Sequence, residues 1–157
     1  MNHVLENGLI VAVLLIIVFT PIYLAVRNSR NLKKKKISDG LIQAEKDFGA
    51  NFQQIDHLDS SVIAMDKDKK LIVQLDINDY TSHMIDLKNI ASCTIEEKKK
   101  GRATQLLQLV LRNSSNQALH HIILYKQYID NEWHLEKSGK TAAHWEVMIN
   151  RAISMQA

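Results

Sequence analysis

The chain is predicted to be α+β: an N-terminal transmembrane helix, a short amphipathic helix, then a bent antiparallel sheet or partly open barrel of six to seven strands with a C-terminal helix. Three observations carry this expectation. Residues Gly8 to Val26 hold no charge. Short β-prone runs divided by polar turns fill the middle of the chain. The last stretch places its apolar residues at helical spacing.

The first element is "GLIVAVLLIIVFTPIYLAV", 19 uncharged residues, the length that crosses a hydrocarbon core of about 30 Å. Pro21 removes one amide donor, a fault that transmembrane helices tolerate. Tyr23 near the end suits an interface. A cleavable signal peptide has cations before its apolar run, whereas "MNHVLEN" has no Lys or Arg and the run ends in "AVRNSR". The cations Arg27, Arg30, Lys33, Lys34, Lys35 and Lys36 all follow the run. By the positive-inside rule they place 1–7 outside and everything from residue 27 onward in the cytoplasm of a cell whose inner membrane the chain crosses once. These six are also the expected contacts with anionic membrane lipids.

The expected organisation is therefore an extracytoplasmic N-terminus (1–7), a transmembrane helix (8–26), a basic juxtamembrane segment (27–36), an amphipathic helix and connector (37–54) and a β domain with a C-terminal helix (55–157). In the connector, Ser38-Asp39 offers an N-cap, and Leu41, Ile42, Ala44, Phe48 and Phe52 form an apolar face. "SVIAM" and "KLIVQL", joined by "DKDK", read as a hairpin. "HMIDL" and "IASCTI" are two further strands, followed by "QLLQLVLR" and "HHIILYKQ" on either side of "NSSNQ", a turn composition. Residues Tyr128 to Leu135 fit either a seventh strand or a loop. In "TAAHWEVMINRAISM" the residues Ala142, Trp145, Ile149, Ala152 and Ile153 share one helical face, with Met148 at its margin.

Composition narrows the function classes. The net charge of +3 hides a division. Up to Lys36 there are six cations against Glu6 alone, while the remainder has 14 Lys and Arg against 16 Asp and Glu. The folded part is thus slightly acidic and carries no general footprint for nucleic acid. One cysteine excludes an internal disulfide. No P-loop, GxSxG, HExxH or GxGxxG motif occurs.

Taken together, "VIAMDKDKKLIVQLD", "MIDLKNIASCTIEE", "LQLVLRN" and "AAHWEVMINRAI" resemble bacterial PH-like domains, in which a seven-stranded bent sheet is capped by a helix. The whole chain resembles small single-pass membrane proteins of Bacteroidota. This resemblance implies a binding or scaffolding module and no catalyst, with a protein partner or a second copy of the chain as the expected ligand. In PH-like lipid binders the first hairpin contacts headgroups; its equivalents here are Lys67, Lys69 and Lys70, interleaved with Asp66 and Asp68. The alternative reading is a peripheral reader of anionic lipid headgroups that uses these residues and the loop Lys98, Lys99, Lys100 and Arg102.

Other candidates are weaker on chemistry. His120 and His121 are neighbours, so on a strand they face opposite ways, and the other histidines lack ligand spacing; no metal and no cofactor are expected. Cys93 lies in a half-buried strand, where a free cysteine packs as a small hydrophobe. Trp133 and Trp145 are both expected in the core.

Overall fold

The computed structural model describes the backbone of residues 2–155 and the side chains of residues 15–155. It is α+β, with a long N-terminal helix, two antiparallel sheets and a C-terminal helix. The chain divides into two units, residues 1–38 and 39–157.

From Asn2 onward the first unit is helical, as part of α1, which spans Asn2–Phe48. Its described apolar run is Leu15 to Val26. Arg27 and Arg30 then end it. Among the described residues no helix is long and apolar enough to cross a membrane, which corrects the expected transmembrane helix over 8–26. The orientation and the inner-membrane location deduced from that span fall with it. Residues 8–14 of the expected span, and the N-terminal segment 1–7, lie outside the residues whose side chains are described.

The second correction concerns α1 itself. Ser38-Asp39 was expected to cap a separate short helix, but α1 passes through both without a break and ends at Phe48. Its end is a Schellman motif: Gly49 adopts φ +58°, its N–H donates to Lys46 O, and the Ala50 N–H donates to Glu45 O at 2.9 Å. Gly40, inside the helix, allows close approach to the sheet; a Cβ there would lie 3.2 Å from a Leu75 methyl.

The first sheet is a meander of β1 (Gln54–His57), β2 (Ser61–Asp66), β3 (Leu71–Asp76) and β4 (Ser82–Asp86). Every residue of β2 is buried, because the sheet is covered on both faces. Ile63, Met65 and Ile72 enter the main core. Val62 and Ala64 pair with Leu75 and Val73 on the opposite face, where Leu75 meets α1 at Gly40. Covering on two sides explains continuous apolar runs in place of alternation.

The second sheet is β5 (Ser92–Lys100), β6 (Ala103–Arg112) and β7 (Ala118–Lys126). Among the described residues no strand of one sheet pairs with a strand of the other, so the expected single bent sheet or partly open barrel is replaced by two separate sheets. The break has a local cause. Asp86 accepts the Lys88 N–H at 2.9 Å and starts a 3-10 turn over Leu87–Asn89. Leu87, fully buried, donates its N–H to Lys70 O. The chain therefore leaves β4 in a turn and enters β5 in a new ladder.

Seven strands are present among the described residues, but Tyr128 to Leu135 supplies none of them: it forms a turn and a 3-10 helix at Glu132–His134. The additional strand is β1. Helix α2 (Leu135–Ser154) starts six residues before the expected Thr141. It packs on all three strands of the second sheet and buries Ala142, Trp145 and Ile149 completely.

Two side chains of α2 also satisfy the outer edge of β5. The Asn150 amide donates to Cys93 O and accepts the Cys93 N–H, both at 2.8 Å. Glu146 accepts the Ile95 N–H at 3.0 Å. A sheet edge otherwise left open to pairing is closed by side chains. Asn150→Ala is expected to cost about 2 kcal/mol, the loss of two half-buried hydrogen bonds. Chemical denaturation checks the cost, and faster amide exchange at Cys93 checks its location.

Candidate interaction surface

The β5–β6 hairpin turns at Gly101 and Arg102, with Gly101 at φ +64°, a conformation that suits glycine. The two glutamates that precede the tip in β5 are engaged with particular partners. Glu96 holds the Arg112 guanidinium at 2.5 Å. Glu97 accepts the Thr104 hydroxyl and pairs with Lys99 at 3.0 Å, contacts that hold its carboxyl below the usual range. Lys98, Lys100 and Arg102 have no acidic partner among the described residues. The hairpin tip is therefore cationic despite the two acids in its sequence.

The loop between β7 and α2 lies beside this hairpin. The Gln127 N–H donates to Gln105 O at 2.9 Å, and Tyr128 with Lys98 and Lys126 borders one shallow depression. The loop is tightly tied. The buried Asp130 accepts the Lys126 N–H at 2.6 Å. Asp59, in the β1–β2 turn, accepts the Asn131 N–H at 3.0 Å and pairs with His134 Nδ1 at 2.7 Å. Asn131 in turn accepts the Trp133 N–H at 3.1 Å and begins the 3-10 helix.

These ties hold large apolar side chains out in solvent. Tyr128, at φ +70°, is 91% exposed and Trp133 90% exposed, with Ile129 exposed between them. The expectation of a core Trp133 is thus corrected, while Trp145 is fully buried. The signal in the sequence was position: Trp133 is out of step with the spacing of Ala142, Trp145 and Ile149. Asn131 two residues earlier marks a turn.

The other predicted contacts are dispersed. Lys67, Lys69 and Lys70 lie in the β2–β3 turn, which meets the C-terminal end of α2 near Arg151 and Met155. Glu146 meets Ile95 and Asn150 meets Cys93, so β5 runs antiparallel to α2 and carries Lys98 to Lys100 toward the N-terminal end of the helix. The two basic hairpins occupy opposite ends of α2 and do not form one patch. Lys69 also bonds Gly49 O through its ammonium, which commits it to closing α1. Arg27, Arg30, Lys33, Lys34, Lys35 and Lys36 are exposed on the helix of the first unit.

Cys93 is buried. Burial, then the Glu146 charge, push its thiol up to about 12, so it is protonated at neutral pH and a poor nucleophile. His120 and His121 sit in successive positions of β7, the first half-buried and the second exposed. Among the described residues no group of three or more His, Cys, Asp or Glu side chains could hold a metal ion.

Compared with known proteins, the chain matches no family model, no curated protein and no solved structure. The PH-like and Bacteroidota resemblances therefore rest on the motifs alone.

Proposed function

We propose that the chain is a non-catalytic binding module that docks a protein partner through the β5–β6 hairpin and the β7–α2 loop. The observation that carries this reading is the pair of almost fully exposed aromatics, Tyr128 and Trp133, on a loop pinned by Asp130, Asp59 and Asn131. Trp, Tyr and Arg dominate the energetics of protein interfaces, and a loop ordered in advance has less entropy to lose on binding. The unpaired Lys98, which borders the same depression as Tyr128, and the unpaired Lys100 and Arg102 of its hairpin favour a partner with an acidic rim around an apolar pocket. The protonated thiol of Cys93 supports the non-catalytic part of the reading.

A photo-crosslinking residue in place of Tyr128, in the full chain in cells, tests this. The expected product is a crosslink to one acidic protein or to a second copy of the chain. Trp133→Ala should weaken the isolated complex by about thirtyfold, the value of an interface hot spot of about 2 kcal/mol. A crosslink that Trp133→Ala leaves unchanged overturns the assignment of the surface.

A second reading has its own support. Exposed Trp and Tyr beside unpaired cations are also the chemistry of a lipid–water interface, and each Lys or Arg near an anionic surface contributes about 1 kcal/mol. Co-sedimentation with anionic vesicles that salt reverses and Trp133→Ala abolishes, without any protein crosslink, would place lipid first.

A further inference from the structure

At the other end of α2, its last turns and the β2–β3 turn enclose a groove of about 410 Å³, within the range of small-molecule sites, about 300–1,000 Å³. Its apolar surface comes from Val147, Met148, Ala152 and Met155, with the buried Met65 beneath, and Lys67, Lys70 and Arg151 stand around it. Among the described residues no carboxylate lines it. None of the three cations has an ion-pair partner among the described residues. Neighbouring acids are occupied elsewhere: Asp66 is buried under three backbone N–H groups, and Asp68 accepts from Gln53.

The backbone that presents the cations is fixed. The Lys67 N–H donates to the Gln53 side chain at 2.7 Å, and Lys70 is held at φ +56° with its carbonyl accepting the Leu87 N–H. The methionines supply a deformable apolar wall that fits chains of varied shape.

We propose that this groove binds an amphipathic anion, a single carboxylate head on an apolar chain. A small hydrophilic anion would satisfy the cations and leave the methionine wall wet. A neutral apolar molecule would cover the wall and leave the charges unanswered. Only a ligand with both parts uses both surfaces. The groove shares no residue with the surface formed by Tyr128, Trp133 and Lys98, so the two proposals stand or fall separately.

The test is binding of decanoate, below its micellar concentration, to the full chain, followed through the methionine ε-methyl resonances. Saturable shifts are expected at Met148 and Met155. Decanol should bind about tenfold more weakly, the effect of about 1.4 kcal/mol from a charged contact, and butyrate should move no methyl resonance. Lys70→Asn with Arg151→Gln should reduce decanoate affinity by about the same factor and leave decanol unchanged; an unaltered thermal midpoint shows that the variant is folded. Equal binding of decanol and decanoate, equal binding of butyrate, or methyl shifts confined to other methionines would each overturn the proposal.

Discussion

Trp145→Ala is expected to lower the unfolding free energy of the β domain by about 3–5 kcal/mol, the range for a large aromatic removed from a packed core. Trp145 is fully buried in the cluster that includes Ile63, Leu109 and Ile122. Its indole N–H donates to Asp56 at 2.8 Å. The residue thus joins α2, packed on the second sheet, to β1 of the first sheet, and no strand pairing does this in its place. The cost should exceed that of an isolated cavity, because Asn150 and Glu146 close the β5 edge only while α2 is seated. Trp145→Phe separates the contributions: it keeps most of the ring volume and loses the hydrogen bond, at an expected cost of about 1–3 kcal/mol. Denaturant unfolding measures both. Amide exchange at Cys93 and Ile95 should accelerate in the alanine variant more than in the phenylalanine variant.

The second large effect belongs to Asp66, which is 1% exposed. Its carboxylate accepts the N–H groups of Asn51 at 2.7 Å, Asp68 at 3.0 Å and Lys69 at 2.9 Å. One side chain therefore shapes the β2–β3 turn and ties it to the segment that follows α1. Asp66→Ala leaves three donors without their acceptor and is expected to cost about 3 kcal/mol or more, since hydrogen bonds to charged groups contribute about 1.5–3 kcal/mol each and turn residues regain water.

The same residue makes stability depend on pH. Burial pushes the Asp66 carboxyl up, but the backbone hydrogen bonds from Lys69, Asn51 and Asp68, with the Gln53 side chain, more than offset it, so its pKa lies below the ordinary value. The folded state then binds fewer protons than the unfolded state between the two pKa values. The stabilisation is complete above the ordinary aspartate pKa of about 3.9 and is lost as pH falls through the depressed folded value. Asp66→Asn should lose stability less steeply than the parent below about pH 4. Parallel acid titrations of unfolding decide this, and identical slopes would remove Asp66 from the account.

Local patterns in the sequence proved legible where they needed only near neighbours. The turn between "SVIAM" and "KLIVQL" is present, shifted by one residue to Lys67–Lys70, because Asp66 belongs to β2 and bonds back into the turn. Ala142, Trp145 and Ile149 do bury one face of a helix. The readings that failed depended on distant surroundings. An apolar run of the right length suggested a membrane, but among the described residues no helix is long and apolar enough to cross one. Ser38-Asp39 has the composition of a cap, but a cap forms only where the helix must begin, and α1 continues through it. Trp133 was expected inside because tryptophan usually is; bonds from Asp59, more than 70 residues earlier in sequence, hold its loop outward.

The sequence by itself determined the hairpin turns, the apolar face of α2 and the separation of six N-terminal cations from a slightly acidic remainder, because these follow from spacing and composition. Tertiary structure alone decided which charges remain unpaired, which aromatics face solvent and which ends of α2 the two basic hairpins occupy. The physical reason is that exposure and pairing belong to the packed arrangement. Glu96 and Glu97 are adjacent to the lysines in the chain, yet Arg112 and Thr104, reached only across the β5–β6 ladder, engage them as well, so that of the tip cations only Lys99 has an acidic partner among the described residues.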